Sequence, residues 1–198
     1  MPQPARPIEA PNMRERAARM LMANAKSANL TFPEALVVTD SMRPQRVRAG
    51  TLLMQEGASE DTGYMALVLE GEVRADTNIG IPDQDIVISV LGAGSMLGEM
   101  GFIDGAPRSA SCTALTDLKL AILSREALLD LIENHPAIAS RLLMAISGNL
   151  SERLRDTNRR LRTVSQVGTE VQRELAVMQR ELDAAHSVNR KLLLEPLI

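Results

Sequence analysis

The sequence predicts an α+β fold, in which an antiparallel, jelly-roll-like β-roll with flanking helices is followed by a long C-terminal coiled-coil helix. Two observations predict it. Between Arg46 and Leu123, short runs rich in Val, Ile, Leu and Met alternate with glycine-containing turns, which is typical of an antiparallel barrel or sandwich. From Leu150 onward, apolar positions recur with a period of 3.5 residues, which is typical of a left-handed coiled coil.

The composition is that of an ordinary globular protein with one good core. The chain has 198 residues, of which 45% are hydrophobic and 24% charged, and its formal net charge is −3. This charge argues against a polyanion-binding surface spread over the whole molecule. No apolar stretch has transmembrane length and the first residues lack the pattern of a secretory signal, so we expect a cytoplasmic protein without a membrane span. The single cysteine, Cys112, is expected to be a small buried residue in a strand.

Several segments follow one another along the chain. Residues 1–12 contain four prolines and should form a flexible tail, because proline removes a backbone donor. Turn-forming residues crowd 76–85, which predicts the long turn of a hairpin. Ser124 is placed to cap a helix over 125–134, and Pro136 suits the first turn of the next helix. The predicted segments are a flexible tail over 1–12, an N-terminal helix over 13–29, the β-roll domain over 30–148, the coiled coil over 149–193 and a tail over 194–198.

The segment from Leu97 to Ala110 carries the residues with the clearest binding chemistry. Gly98 lets the backbone come close to a ligand, and the helix start that follows it points N–H groups outward. Arg108 can bind an anion through two parallel hydrogen bonds. Glu99 repels a phosphate but accepts hydrogen bonds from hydroxyl groups. A ribose joined to a singly charged phosphate satisfies both side chains at once.

This segment resembles the phosphate-binding cassette of the cyclic nucleotide-binding domain, which is shared by bacterial catabolite-activator-type regulators, cyclic-nucleotide-dependent kinases and gated channels. The matching motifs are G-E-x-G from Gly98, the Asp104-Gly105 turn and P-R-S-A ending at Ala110. With the upstream turns and strands, the resemblance covers roughly the first three quarters of the chain. It implies that Glu99 accepts a hydrogen bond from the ribose 2′-hydroxyl and that Arg108 pairs with the cyclic phosphate. The other cassette residues that it implies as ligand contacts are Gly98, Met100, Ser109 and Ala110.

The identity of the base stays open in this resemblance. Family members read the purine with the residue after the arginine, which is Ser109 here, and with side chains of the long C-terminal helix. A hydroxyl at the first position occurs in receptors for either nucleotide. Counted from Pro136, the helix positions that contact adenine in activator-type proteins hold Arg153 and Leu154. Arg153 could stack on either purine or donate to guanine, so cAMP and cGMP both remain candidate ligands.

A repeat of apolar residues runs along the predicted C-terminal helix from Leu150 to Leu192, in alternating steps of four and three. Asn189 falls at a core position of this repeat, and a buried asparagine pair favours two parallel strands. We therefore predict a parallel homodimer through residues 150–192. A single long helix packed on its own domain is the alternative. The a positions of the heptads are Leu154, Leu161, Gly168, Leu175, Leu182 and Asn189.

The residues favour a receptor over an enzyme. The sequence shows no nucleophile–base pair, no metal-ligand spacing and no triphosphate-binding loop, so we expect no catalytic residue, metal or cofactor. The expected protein is a non-enzymatic receptor for cAMP or cGMP that couples ligand binding to the coiled-coil dimer and to a protein partner. Because heptads take up the residues after Asn149, we expect no DNA partner.

Two other functions stay open at this point. The domain could have kept the fold and lost the ligand, which would make the chain a structural dimerisation protein. It could instead bind a cyclic dinucleotide such as cyclic di-GMP, whose second phosphate needs further cations. Arg153 and Arg155 are the candidates for that role. Intact Glu99 and Arg108 argue against loss of the ligand.

Overall fold

The chain divides between Leu150 and Ser151 into two units, and two antiparallel sheets form the centre of the first. The computed structural model describes residues 11–24, 28–60, 62–78 and 85–194. Within these residues one sheet has the strand order β1-β8-β3-β6 and the other has the order β2-β7-β4-β5. The strands are β1 (Arg43–Val47), β2 (Leu52–Met54), β3 (Tyr64–Glu70), β4 (Val73–Asn78), β5 (Asp85–Leu91), β6 (Met96–Leu97), β7 (Ser111–Ala114) and β8 (Leu118–Ser124).

Helices flank the sheets, and the last helix continues into the second unit. Ser124 caps α4, because its Oγ accepts a hydrogen bond from the Ala127 N–H at 3.2 Å. Pro136 is the first residue of α5. Both features agree with the sequence. The predicted β-roll with flanking helices and a long C-terminal helix is confirmed, whereas the coiled coil stays a prediction. The helices are α1 (Pro11–Asn24), α2 (Phe32–Asp40), α3 (Glu99–Asp104), α4 (Arg125–Asn134) and α5 (Pro136–Leu194).

Strand β3 is buried on both of its faces, because successive side chains point to opposite sides of a sheet and almost all of its residues are apolar. Met65, Leu67 and Leu69 face a core formed with the helices, which we call the helix-side core. Ala66 and Val68 face the second sheet and help to form the roll core. The helix-side core also contains Leu21, Val38, Phe102, Leu131, Leu142 and Ile146, and the roll core also contains Met54, Val73, Ala75, Leu97, Cys112 and Leu120.

The single cysteine lies on β7 and is 6% exposed, as the sequence predicts for Cys112. The structure corrects the predicted helix over 13–29 at both ends. It begins at Pro11 and ends at Asn24, and Ala28 and Asn29 lie in a turn. Asn29 adopts a φ of 51°, a left-handed conformation that asparagine tolerates better than most residues.

Helix α2 has no counterpart among the predicted elements, although its start carries a recognisable signal. Thr31 precedes the helix and Glu34 follows three residues later, which is the capping-box pattern. The predicted hairpin turn over 76–85 is also shorter than expected, because β4 reaches Asn78 and β5 begins at Asp85. The tip of that turn, most of the predicted tail over 1–12 and residues 195–198 lie outside the described residues.

Glu34 connects α2 to the first part of α5. Its carboxylate accepts hydrogen bonds from the Thr31 N–H at 2.9 Å and the Thr31 Oγ1 hydroxyl at 2.8 Å. Arg141 of α5 donates its Nη1 to the same carboxylate at 2.6 Å. The hydrogen bonds from Thr31 and then from Arg141 favour the charged form and lower the pKa of Glu34 from 4.5 to about 2.

We predict that Glu34→Gln lowers the free energy of unfolding at about pH 7, because the amide cannot carry the charge that these donors favour. A lowered pKa adds stability that is fully present above the ordinary value of 4.5 and is lost as the pH falls through about 2. The difference between the natural chain and the variant should therefore shrink at about pH 3. Urea unfolding followed by circular dichroism measures both values.

Glu133→Gln is the control, since Glu133 is an exposed residue of α4 outside these contacts. A Glu34→Gln chain that is no less stable than this control at about pH 7 would contradict the role given to Glu34.

Candidate functional site

Gly98 sits immediately before α3 and adopts a left-handed conformation, with φ of 72° and ψ of 13°. L-residues with a Cβ are strained at such angles. A Cβ at this position would also lie 2.3 Å from Nη1 of Arg108 and 2.7 Å from Cε of Met54. Two independent constraints therefore require glycine where α3 begins.

Arg108 lies beneath this glycine and is only 4% exposed. Its Nη1 donates to the Gly98 carbonyl at 2.8 Å, and its Nη2 donates to the Tyr64 carbonyl at 3.0 Å. The guanidinium carbon stands 4.8 Å from the centroid of the Tyr64 ring, within range of a cation–π contact. One side chain thus joins the start of α3 to the start of β3.

The backbone of Arg108 is held as firmly as its side chain. Its N–H donates to the Ala58 carbonyl at 3.0 Å, and its carbonyl accepts from the Gly57 N–H at 2.8 Å. Hydrogen bonds therefore fix both the backbone and the side chain of Arg108, which is the preorganisation that a binding residue needs.

Glu99 is the first residue of α3 and is 3% exposed. It follows directly after Gly98, whose carbonyl binds Arg108, so an acidic and a basic side chain are buried in the same loop. Charged side chains are rarely buried to this degree, because removing them from water is expensive. The loop therefore carries two groups of opposite charge in a place where simple packing would use apolar residues.

The remaining cassette residues lie nearer the surface. Met100 is 45% exposed, and Ser109 is exposed and donates its hydroxyl to the Met100 sulfur at 3.4 Å. Ala110 is half-buried just before β7. Six of the seven predicted ligand residues are thus brought together around α3. Arg153 lies on α5 in the second unit, and its contact with a ligand stays a prediction.

Three contributors to this arrangement were not predicted as site residues: Met54, Tyr64 and the 57–58 loop. The sequence placed a turn at Gly57 but offered no sign that it would bind the backbone of Arg108. Tyr64 and Arg108 are 44 positions apart, and nothing local to either residue pairs them. Such contacts follow from the sheet topology rather than from a motif.

Two features are absent from the part of the chain that the structure describes. No cluster of three or more His, Cys, Asp or Glu side chains there could hold a metal ion. No helix there is both long enough and apolar enough to cross a membrane.

The fold is a roll of two antiparallel sheets, and a buried glutamate and a buried arginine lie at a glycine-led helix start. Residues 44–135 match the family model described as the cyclic nucleotide-binding domain. This part of the chain is a cyclic nucleotide-binding domain of the catabolite-activator type.

Similar proteins agree with this assignment. A CRP-like cAMP-activated global transcriptional regulator of Mycobacterium tuberculosis is 29% identical over 131 residues, which are 65% of this chain and 55% of that regulator. The chain thus spans about half the length of this relative. A cyclic nucleotide-binding domain from Methylobacillus flagellatus superposes with a TM-score of 0.66 at 29% identity, covering 74% of this chain and 83% of that one. The catabolite activator protein of Thermus thermophilus gives 0.59 at 28% identity, covering 74% and 63%.

We predict that Gly98→Ala destabilises the domain more than Gly105→Ala does. The two glycines have nearly the same φ, 72° and 73°, so both variants carry a left-handed strain of about 1–2 kcal/mol. A Cβ at Gly105 meets nothing closer than Arg125 Nη2 at 3.9 Å, whereas one at Gly98 must displace Arg108 and Met54. This overpacking should add about 1 kcal/mol or more. Urea unfolding of the two variants measures the difference, and equal losses would contradict the close approach of Arg108.

Proposed function

We propose that this chain is a non-enzymatic receptor for a cyclic mononucleotide, cAMP or cGMP, which couples ligand binding to a coiled-coil dimer and to a protein partner. The observation that carries the proposal is the burial of Arg108 and Glu99 in one loop, with Arg108 hydrogen-bonded to Gly98 where α3 begins. The mycobacterial relative is described as cAMP-activated, which favours cAMP as the first ligand to test.

Each charged side chain has its own part of the ligand to recognise. The Arg108 guanidinium presents N–H donors in a planar fork, which matches two oxygens of a cyclic phosphate. The Glu99 carboxylate is an acceptor and suits the ribose 2′-hydroxyl. Amides in the first turn of a helix have no acceptor within the helix, so the start of α3 also favours the phosphate.

The first unit contains a route by which the ligand could act on α5. Phe102 of α3 is 1% exposed and belongs to the helix-side core. Leu142 and Ile146 of α5 belong to the same core. A small displacement of α3 would therefore change the packing against the first part of α5, because close-packed cores transmit strain. A ligand that favours one of two arrangements of α5 provides the coupling.

Ligand binding to the proposed receptor acts on a dimer, in which a second copy of the chain binds along α5. Large apolar side chains of the heptad repeat are exposed in the single chain, among them Leu161 at 64%, Val164 at 68% and Leu175 at 55%. A stripe of this kind on a helix that reaches Leu194 needs an equally long apolar surface to cover it. A second copy supplies the same apolar stripe in the same register. We propose that the protein partner binds the surface of the resulting coiled coil.

We predict that calorimetric titration of the natural chain gives micromolar or tighter binding of cAMP or cGMP. Arg108→Lys, which loses the planar fork, should weaken this binding by about tenfold to a hundredfold, or about 1.5–3 kcal/mol. Glu99→Gln should weaken it in the same direction. Arg125→Lys is the control, because Arg125 donates to the Gly101 carbonyl of α3 at 3.2 Å and has no assigned contact with the ligand.

Thermal unfolding of each variant shows whether it is folded, so that lost binding is separated from lost structure. Absence of heat with cAMP, cGMP and cyclic di-GMP would contradict the receptor and favour the structural dimerisation protein. Binding of cyclic di-GMP alone would favour the cyclic dinucleotide receptor instead.

We predict that the chain is a dimer at micromolar concentration, with twice the chain mass of 21.5 kDa. Leu175→Glu should dissociate it, because Leu175 is an a position and a buried glutamate pair is costly. Val177→Glu is the matched control, since Val177 is 46% exposed two positions along and lies off the repeat. Sedimentation equilibrium measures all three masses. A monomeric natural chain, or equal loss in both variants, would contradict the coiled-coil dimer.

A further inference from the structure

A cavity of about 220 Å³ lies inside the β-roll beside the cassette, and Tyr64, whose ring covers the Arg108 guanidinium, is among its lining residues. Its inner wall consists of buried apolar side chains from both sheets, including Met54, Ala66, Leu97 and Leu120. Gln45, Thr51 and Leu52 also line it, and all three are exposed to solvent. The cavity therefore has an apolar interior, and its mouth carries an amide and a hydroxyl beside one leucine.

The position of this mouth follows from the sheet topology. Strand β1 ends one sheet and β2 ends the other, and each has a hydrogen-bonded strand on one side only. Gln45 belongs to β1, and Thr51 immediately precedes β2. Within the described residues no hydrogen-bonded ladder joins β1 to β2, and exposed lining residues of the cavity lie at this gap.

The size and lining of the cavity specify the kind of molecule that fits. Protein interiors are close-packed, and a void of this size leaves its apolar walls without dispersion partners. An apolar cavity of roughly 150 Å³ is large enough to bind benzene. The larger volume here takes one aromatic ring with a short substituent, and the mouth offers an amide and a hydroxyl to a polar group.

We propose that this cavity is a second binding site, next to the cassette but not lined by Glu99 or Arg108, for a small amphipathic molecule with one aromatic ring and one hydroxyl group. The ring lies against Met54, Ala66 and Leu120 in the interior. The hydroxyl is directed to Gln45 and Thr51 at the mouth. The site does not depend on the proposed binding of a cyclic nucleotide, since neither Glu99 nor Arg108 lines it.

The probe for this site is p-cresol, titrated into the full chain with ¹³C-labelled methionine methyl groups. Met54 lines the cavity, and its methyl signal should shift with saturation at about millimolar concentration or below. Met65 is the internal control, because it neighbours Ala66 on β3 but faces the helix-side core and is fully buried. Its shift should be several-fold smaller. Equal shifts at the two methyls that rise without saturation would overturn the proposal.

A variant separates this site from the cassette. Ala66→Val adds two methyl groups inside the cavity and should weaken the saturable Met54 shift several-fold. An unweakened shift in a folded Ala66→Val chain, or displacement of p-cresol by excess cAMP, would overturn the proposal. If Ala66→Val does not fold, the contrast between Met54 and Met65 in the natural chain decides alone.

Discussion

The burial of β3 on both faces is the constraint on which the rest of the first unit depends. Its central position between β8 and β6 places one set of side chains among the helices and the alternate set inside the roll. Both cores therefore contain side chains of this one strand. The Tyr64 carbonyl, which accepts the Arg108 guanidinium, belongs to its first residue, so the candidate site is attached to the most deeply buried element of the fold.

The geometry of the cassette depends on the close approach of Arg108 to Gly98, which only glycine allows. Arg108 reaches the Gly98 carbonyl because no Cβ stands between them, and the same bond connects the buried guanidinium to the start of α3. The proposed receptor follows from this geometry. A ligand that binds Arg108 acts directly on α3, and Phe102 connects that helix to the core shared with α5.

The fold class, the capped α4 and the glycine-led start of α3 could be predicted because each has a local signal in the sequence. Ser124 and Gly98 are examples, since capping and positive φ depend on the residue itself. The bonds between Arg108 and Tyr64 could not be predicted, because they join distant residues that the sheet topology brings together. Helix α2 had a signal in Thr31 and Glu34, but a nine-residue helix shows too little periodicity to stand out.

The most direct test of the central claim is amide hydrogen exchange of the full chain. It is measured without ligand, with saturating cAMP and, in a parallel experiment, with saturating cGMP. The account predicts that one of the two nucleotides slows exchange across residues 98–110 and also changes exchange in residues 136–150 of α5. The first effect reports occupation of the cassette, and the second reports the route through Phe102. Unchanged exchange in both segments with either nucleotide would contradict the account.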